Sequence, residues 1–338
     1  MVDGCEEYVR PKIAITMGDP AGVGPELVLR AVADSQVLAI AEPLIYGDFG
    51  VLELVARRLG LAMPPSHMVI GVTSIDASDL MPGRAHRVAG EAMIACVKRA
   101  VTDALAGEAA AIVTAPINKE TASLSGFPFP GHTEYIAHLC GDIDPVMMLC
   151  GPGAEDLKVA LVTTHVSMRE LPALITEECV LRTIRITADS LKKLFAIEKP
   201  LIAVAGLNPH AGEGGIFGAE EAEVIAPAIK RARAENIDVR GPEPPDTVFY
   251  RAVRKKEFNA VVCMYHDQGL GPLKLLHFDD GINVTLGLPV IRTSPDHGTA
   301  YDIAWKGVAS PLSLISAIEM AAMMAGNREK FLLEKKSK

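Results

Sequence analysis

The chain has 338 residues, more than one hydrophobic core usually serves, so two lobes are expected. With 49% hydrophobic and 22% charged residues it has ample material for a packed interior, which excludes a largely disordered protein. A formal net charge of -9 gives no electrostatic footprint for nucleic acid or an anionic membrane, and no uninterrupted apolar stretch is long enough to span a bilayer, so the expected partner is a small molecule.

In chain order, strand-like and helix-like runs alternate. Residues 12–16 (KIAIT) lead through a glycine turn into a helical pattern at 25–33. Residues 43–46 precede a helix-like run at 48–59, and a helix-like run at 90–106 precedes 110–114. The middle repeats the theme with 146–150, 159–163, the helix-like 176–195, 201–205, the helix-like 220–235 and 260–264. This is the grammar of βαβ units. No charge run, internal repeat or composition shift marks a linker, so the lobes are expected to share strands or exchange chain segments.

The six cysteines, Cys5, Cys96, Cys140, Cys150, Cys179 and Cys263, are scattered, form no CxxC pair and in several cases lie inside apolar runs. They read as reduced core residues of a cytoplasmic protein. The opening MVDGCEEYVR is acidic and lacks the apolar core of a signal peptide, which agrees.

Two glycine-rich loops invite comparison with nucleotide signatures. Residues 17–26 (MGDPAGVGPE) follow a strand and open a helix, so free backbone amides there could face an anion. The loop matches neither GxGxxG nor GxxxxGK[ST]. Residues 212–218 (GEGGIFG) also precede a helix, and their glycines serve either a close backbone approach to a ligand or a tight turn.

Three of the nine histidines follow short apolar, β-prone runs: His165 after 159–164, His210 after 201–209 and His266 after 261–265. Open parallel sheets place ligand-binding residues just beyond the carboxyl ends of their strands, and imidazole is the commonest ligand for zinc and its neighbours. Each histidine alone reads more readily as a capped or hydrogen-bonded surface residue. Together, with Thr163 and Thr164, Asn208, and Asp267 and Gln268 beside them, they fit three strand ends delivering ligands to one metal, with neighbours of the kind that orient imidazoles.

The stretch 265–297 carries the densest polar chemistry. Lys274, Asn283 and Arg292 offer a cation, an amide and a guanidinium suited to phosphate or carboxylate, against the alternative of ordinary surface charge. His132 and Thr133, in PGHTEY, either hold a phosphate or cap the helix that follows. His297, in SPDHG, is either an outer support of the site or structural. His67, His86, His138 and His277 read as solvent-facing or packed.

Taken together, MGDPAGVGPE, TAPINKE, PGHTEY, GLNPHAGEGG, PPDT, MYHDQG, INVTLGLP and RTSPDHGTA resemble, in order, the 4-hydroxythreonine-4-phosphate dehydrogenase family of pyridoxal phosphate biosynthesis, over about 12–307. The resemblance implies a two-lobed α/β/α fold similar to isocitrate and isopropylmalate dehydrogenases, which bind a nicotinamide nucleotide without a Rossmann glycine fingerprint. It places a first, discontinuous lobe at 1–125 plus 295–338 and a second at 126–294 carrying metal and substrate residues. It further implies one divalent metal per active site (zinc, magnesium or cobalt) on His165, His210 and His266, drawn from both subunits of a homodimer. Substrate contacts map to His132, Thr133, Lys274, Asn283 and Arg292. The cofactor is NAD or NADP; neither a general base nor cofactor-contacting residues are assigned.

The implied reaction oxidises the C3 hydroxyl of 4-phosphohydroxy-L-threonine to a β-keto acid that loses carbon dioxide to give 3-amino-2-oxopropyl phosphate, with the metal as Lewis acid. Members similar to this chain act instead on 4-phospho-D-threonate or 4-phospho-D-erythronate, and PPDTVF and DIAWKG resemble that branch. More distant members oxidise aromatic cis-dihydrodiols, against which the phosphate-binding candidates argue. A histidine-liganded metallohydrolase would use the same metal to activate water and need no nicotinamide. A non-catalytic small-molecule binder would turn over no dinucleotide.

Overall fold

The structure is a computed structural model and describes residues 9–76 and 79–336; Cys5 lies outside them. The chain divides into two compact units, one comprising the chain up to Cys140 together with His297–Gly326, the other Gly141–Asp296 and the residues from Asn327 on. His132 and Thr133 thus fall in the first unit, because the helix they begin packs on a long helix of that unit.

The first unit runs β1 (Lys12–Thr16), α1 (Gly24–Val32), α2 (Ser35–Ile40), β2 (Glu42–Asp48), α3 (Phe49–Leu59), β3 (Val69–Thr73), α4 (Arg87–Leu105), β4 (Ala111–Thr114), α5 (Lys119–Leu124) and α6 (His132–Leu139). Its strands lie in the order β3-β2-β1-β4, all parallel. Local chemistry sets the joints. The buried Asp48 carboxylate accepts from Val51 N at 3.1 Å to start α3, which ends at Gly60 with φ 66°. Asn118 starts α5 by accepting from Thr121 N at 2.9 Å. The same Asp48 also takes Ile75 N at 2.7 Å and the Thr73 hydroxyl at 3.1 Å, tying the end of β3 to the start of α3.

The second unit runs β5 (Val146–Gly151), β6 (Leu157–Leu161), α7 (Leu171–Leu174), α8 (Glu177–Lys193), β7 (Ile202–Ala205), α9 (Ala226–Ala234), β8 (Val239–Glu243), α10 (Pro245–Arg254), β9 (Ala260–Cys263), α11 (His266–Leu276), β10 (Ile282–Leu286) and β11 (Arg292–Pro295). The last helix, α12 (Leu312–Lys336), contributes to both units. Strand order is β11-β10-β5-β6-β9-β7-β8. From β6 through β9 and β7 to β8 the pairing is parallel; β11, β10, β5 and β6 pair antiparallel.

The mixed sheet departs from a purely βαβ reading. Residues 146–150 and 159–163 are separated by too few residues for a crossover helix, so they can only form a hairpin. The hairpin of β10 and β11 and the helix α12 were not legible as elements, since glycine, proline and polar side chains interrupt the first and an alanine- and methionine-rich run hides the face of the second.

Alternate residues of the parallel strands, Leu157, Val159 and Leu161, Ala203 and Ala205, Val261 and Cys263, pack against Val248 and Ala252 of α10 and Leu273 of α11. Both faces of these strands are buried. At about 1.5–3 kcal/mol for each fully buried aliphatic side chain, this interior makes the strand ends a rigid base for the residues that follow them. Cys96, Cys150 and Cys263 lie within such interiors, and burial pushes the Cys96 and Cys150 thiols up to about 12, far from the reactive thiolate.

Candidate metal and substrate site

β6 and β9 are parallel neighbours, with Leu161 opposite Cys263, so the chain leaves both at the same edge of the sheet. The ladder continues past the strands: Val162 N donates to Cys263 O at 2.9 Å. Thr163 then gives its amide at 3.3 Å and its hydroxyl at 2.7 Å to Met264 O. Two residues on, His165 and His266 stand ring to ring, centroids 5.6 Å apart at 43°. The Nδ1 of His266 meets Asp267 Oδ1 at 2.7 Å, an arrangement that fixes the ring and leaves its Nε2 for another partner.

β7 lies on the other side of β9 and also runs parallel to it. Beyond it the chain enters a run of left-handed residues, His210 (φ 53°), Ala211 (φ 53°), Gly212 (φ 82°), Glu213 (φ 43°) and Gly214 (φ 67°). Such conformations are costly outside glycine and persist only where surroundings impose them. The glycines of the 212–218 loop serve this turn. The exposed His210 ring lies 6.2 Å from that of Phe217. Among the described residues, no group of three or more His, Cys, Asp or Glu side chains is placed to hold one ion. The chain therefore brings His165 and His266 together and leaves its own His210 apart from them.

Of the substrate candidates, the β10–β11 hairpin sets Asn283 opposite Ser294 and Thr285 opposite Arg292, so these four side chains share one face. Arg292 is 3% exposed and donates through Nη1 to Thr285 Oγ1 at 3.1 Å. The Asn283 Oδ1 is buried without a hydrogen-bond partner, an acceptor suited to a donor from a bound molecule. Lys274, near the end of α11, reaches the hairpin's end: its Nζ is 2.7 Å from both the main-chain oxygen and Oδ2 of Asp296. His132 and Thr133 open α6 in the first unit, after the extended Gly131.

The other histidines are ordinary. His86 Nε2 accepts from Met81 N at 3.1 Å, and the ring of the exposed His138 lies 5.0 Å from that of Phe129. His277 is 5% exposed and packs over Gly151, where a Cβ would come within 2.0 Å of its ring. His297 is exposed with Nδ1 3.0 Å from Gly298 O.

The loop after β1 is not an anion cradle. The amides of Asp19, Ala21, Gly22 and Val23 are spent on Pro116 O, Asp19 Oδ1, Asp19 O and Thr299 O, and residues 17–24 are buried. The loop instead joins the segment that follows His297. The Tyr301 hydroxyl donates to Asp19 Oδ2 at 2.6 Å and lies 2.5 Å from the Thr121 hydroxyl, while Trp305 Nε1 donates to Pro20 O at 3.1 Å. Burial pushes the Asp19 carboxyl above its ordinary range, opposed by the hydrogen bonds from Tyr301 and Ala21 N. Tyr301 was invisible as a participant because nothing in its neighbourhood distinguishes it from a surface tyrosine.

A family model for pyridoxal phosphate biosynthetic protein PdxA matches residues 38–321. The chain belongs to this family. It is 47% identical over 330 residues, 94% of this chain and 96% of the relative, to a 4-hydroxythreonine-4-phosphate dehydrogenase of Desulforapulum autotrophicum. It is 44% identical over 332 residues, 94% of this chain and 98% of the relative, to a D-threonate 4-phosphate dehydrogenase of Cupriavidus necator. The crystal structure of 4-hydroxythreonine-4-phosphate dehydrogenase from Klebsiella pneumoniae, 40% identical, superposes with a TM-score of 0.83 over 94% of this chain and 99% of that one. The PdxA relatives are dehydrogenases, and this chain shares their α/β fold along nearly its whole length.

Proposed function

We propose that this PdxA-family chain oxidises the C3 hydroxyl of 4-phosphohydroxy-L-threonine, with NAD or NADP as hydride acceptor, to a β-keto acid that decarboxylates to 3-amino-2-oxopropyl phosphate. The observation that carries this reading is the His165–His266 pair at one sheet edge, in the same unit as the buried face of Asn283 and Arg292. The reading also takes the protein to act in the cytoplasm; among the described residues no helix is long and apolar enough to cross a membrane.

Of zinc, magnesium and cobalt, the donor set fits zinc or cobalt better than the oxygen-seeking magnesium: two neighbouring imidazoles, one with its Nδ1 committed to a carboxylate. A single chain supplies two of the three histidines, so the third, His210, comes in this reading from a second copy in a homodimer. Bound there, the ion supplies Lewis-acid polarisation of a substrate oxygen.

The protein's own residues do the rest. Arg292, held by Thr285, supplies a guanidinium of the kind that recognises phosphate or carboxylate, and Lys274 adds a second cation steadied by Asp296. Asn283 Oδ1 accepts from a substrate hydroxyl or amine. His132 and Thr133 are assigned substrate contacts by the family resemblance alone. Fixing both anionic ends would hold the C3–H bond in one orientation for hydride transfer, which lowers the barrier.

A second reading, oxidation of 4-phospho-D-threonate or 4-phospho-D-erythronate, is favoured by the full-length likeness to the Cupriavidus necator D-threonate 4-phosphate dehydrogenase. The experiment is NAD and NADP reduction by purified protein with a divalent metal and each 4-phosphorylated acid in turn. A tenfold or greater preference for the 2-amino acid supports the first reading, and the reverse preference supports the second. No reduction with any of them removes both.

A further inference from the structure

Buried polar contacts link all three histidine-bearing strand ends, and one side chain stands at their centre. Gln268 is 7% exposed, on the first turn of α11. Its Oε1 accepts from Met264 N at 2.7 Å, and its Nε2 donates to Gly206 O at 2.7 Å. Met264 ends the run before His266, and its carbonyl receives Thr163, two residues before His165. Gly206 begins the passage to His210.

The far side of that passage is fixed as firmly. The buried Glu221 carboxylate accepts from Leu207 N and Asn208 N, each at 2.7 Å through Oε1, and from Asn208 Nδ2 at 3.0 Å through Oε2. Gly206 and Gly212 allow the turn to close: a Cβ on the first would meet Ala211 Cα at 2.8 Å, and on the second Glu221 Oε2 at 2.7 Å. The left-handed run that displays His210 is thus clamped by Glu221 on one side and referred to β9 by Gln268 on the other.

We propose that Gln268 is a positioning residue that sets where the His210 turn stands relative to the strand end carrying His266, and through it the strand end carrying His165. Gln268 touches neither ion nor substrate. Its amide is suited to this because the two groups it joins are opposite in kind, an N–H donor on Met264 and a carbonyl acceptor on Gly206; only a side chain offering both an acceptor and a donor satisfies both. Glutamate at this position would face the Gly206 carbonyl with a second acceptor, and leucine would leave both backbone groups buried and unpaired. The inference rests on the metal reading given above, and it holds whichever copy's site a given His210 serves.

The test uses Co2+ as the probe ion, because its visible absorption reports the number and geometry of nitrogen ligands. Full-length wild type, Gln268→Glu, Gln268→Leu and Asn259→Ala are titrated with Co2+ and melted in parallel. Asn259 caps Leu201 N at 2.8 Å, at the other end of β7, and serves as the control for loss of stability alone. The expected result is a roughly ten- to hundred-fold weaker Co2+ affinity with an altered spectrum in both Gln268 variants. Asn259→Ala should keep the wild-type affinity and spectrum despite a lower melting temperature. Wild-type Co2+ binding in either folded Gln268 variant overturns the inference and leaves the metal reading intact. An equal loss in Asn259→Ala also overturns it, by showing that stability alone governs the site. Absence of Co2+ binding in the wild type removes the metal reading and this inference with it. If Gln268→Leu fails to fold, the isosteric Gln268→Glu decides.

Discussion

Thr163 commits both its amide and its hydroxyl to one acceptor, the carbonyl oxygen of Met264, at 3.3 and 2.7 Å. This double contact prolongs the β6–β9 pairing beyond the strands and fixes the approach of His165 to His266. Thr163→Val keeps the shape and deletes only the hydroxyl's bond. A buried net hydrogen bond contributes about 1 kcal/mol, so urea melts should show a loss of that order. Turnover efficiency should fall several-fold, with the Michaelis constant for the dinucleotide unchanged. An unaltered turnover would mean that the backbone ladder alone holds the pair.

Because His165 and His266 adjoin in one chain and His210 does not join them, the reading of a shared site has a sharp consequence. Chains carrying His210→Ala or His266→Ala should each be inactive and poor in metal after dialysis. Mixed, they should recover part of the activity, since a hybrid dimer then holds one intact set of ligands. Mass spectrometry of the mixture shows whether subunits exchange. Exchange without recovery would place each site wholly within one chain.

In the proposed reading, the buried Arg292 and Asn283, on one face of the hairpin, take the anionic end of the substrate. Arg292→Lys keeps the charge and loses the planar pair of donors; Lys274→Met loses a cation. Each should reduce turnover efficiency with a 4-phosphorylated hydroxy acid by about thirty- to a thousand-fold, the equivalent of about 2–4 kcal/mol for a charge-assisted contact in a desolvated site. Dinucleotide binding, followed by fluorescence of the reduced form, should hardly change. Equal losses in both would assign these residues to general folding instead.

What the sequence showed and what it concealed divide along physical lines. Strands ending in His165, His210 and His266 were legible because fully buried parallel strands are continuous apolar runs, and a polar residue at their end stands out. The meeting of His165 with His266, and not with His210, depends on sheet order and on a left-handed turn that no local pattern encodes. Glu221 lies in the helix-like run 220–235, where nothing local marks it; only its burial beside Leu207 and Asn208 reveals an anchor. The glycine loop before α1 offers backbone amides by sequence alone, and Pro116, Asp19 and Thr299 have taken those of Asp19, Ala21, Gly22 and Val23.

The carboxyl of Asp19 yields a prediction about pH. Burial raises it above its ordinary value, so the folded state favours the protonated form more than the unfolded chain does. The sign follows from linkage. Stability from this group is fully present below the carboxyl's unfolded value, about 3.9, and is lost as pH rises through its higher folded value. Asp19→Asn removes that titration while retaining an acceptor for Ala21 N, at present 2.9 Å from Asp19 Oδ1. The variant's amide can in turn donate to the Tyr301 oxygen. Urea melts at a series of pH values should therefore show wild type losing stability relative to Asp19→Asn as pH climbs from about 4 toward neutrality. A constant difference across the series would mean that Asp19 titrates alike in both states and that the hydrogen bonds from Tyr301 and Ala21 offset the cost of its burial.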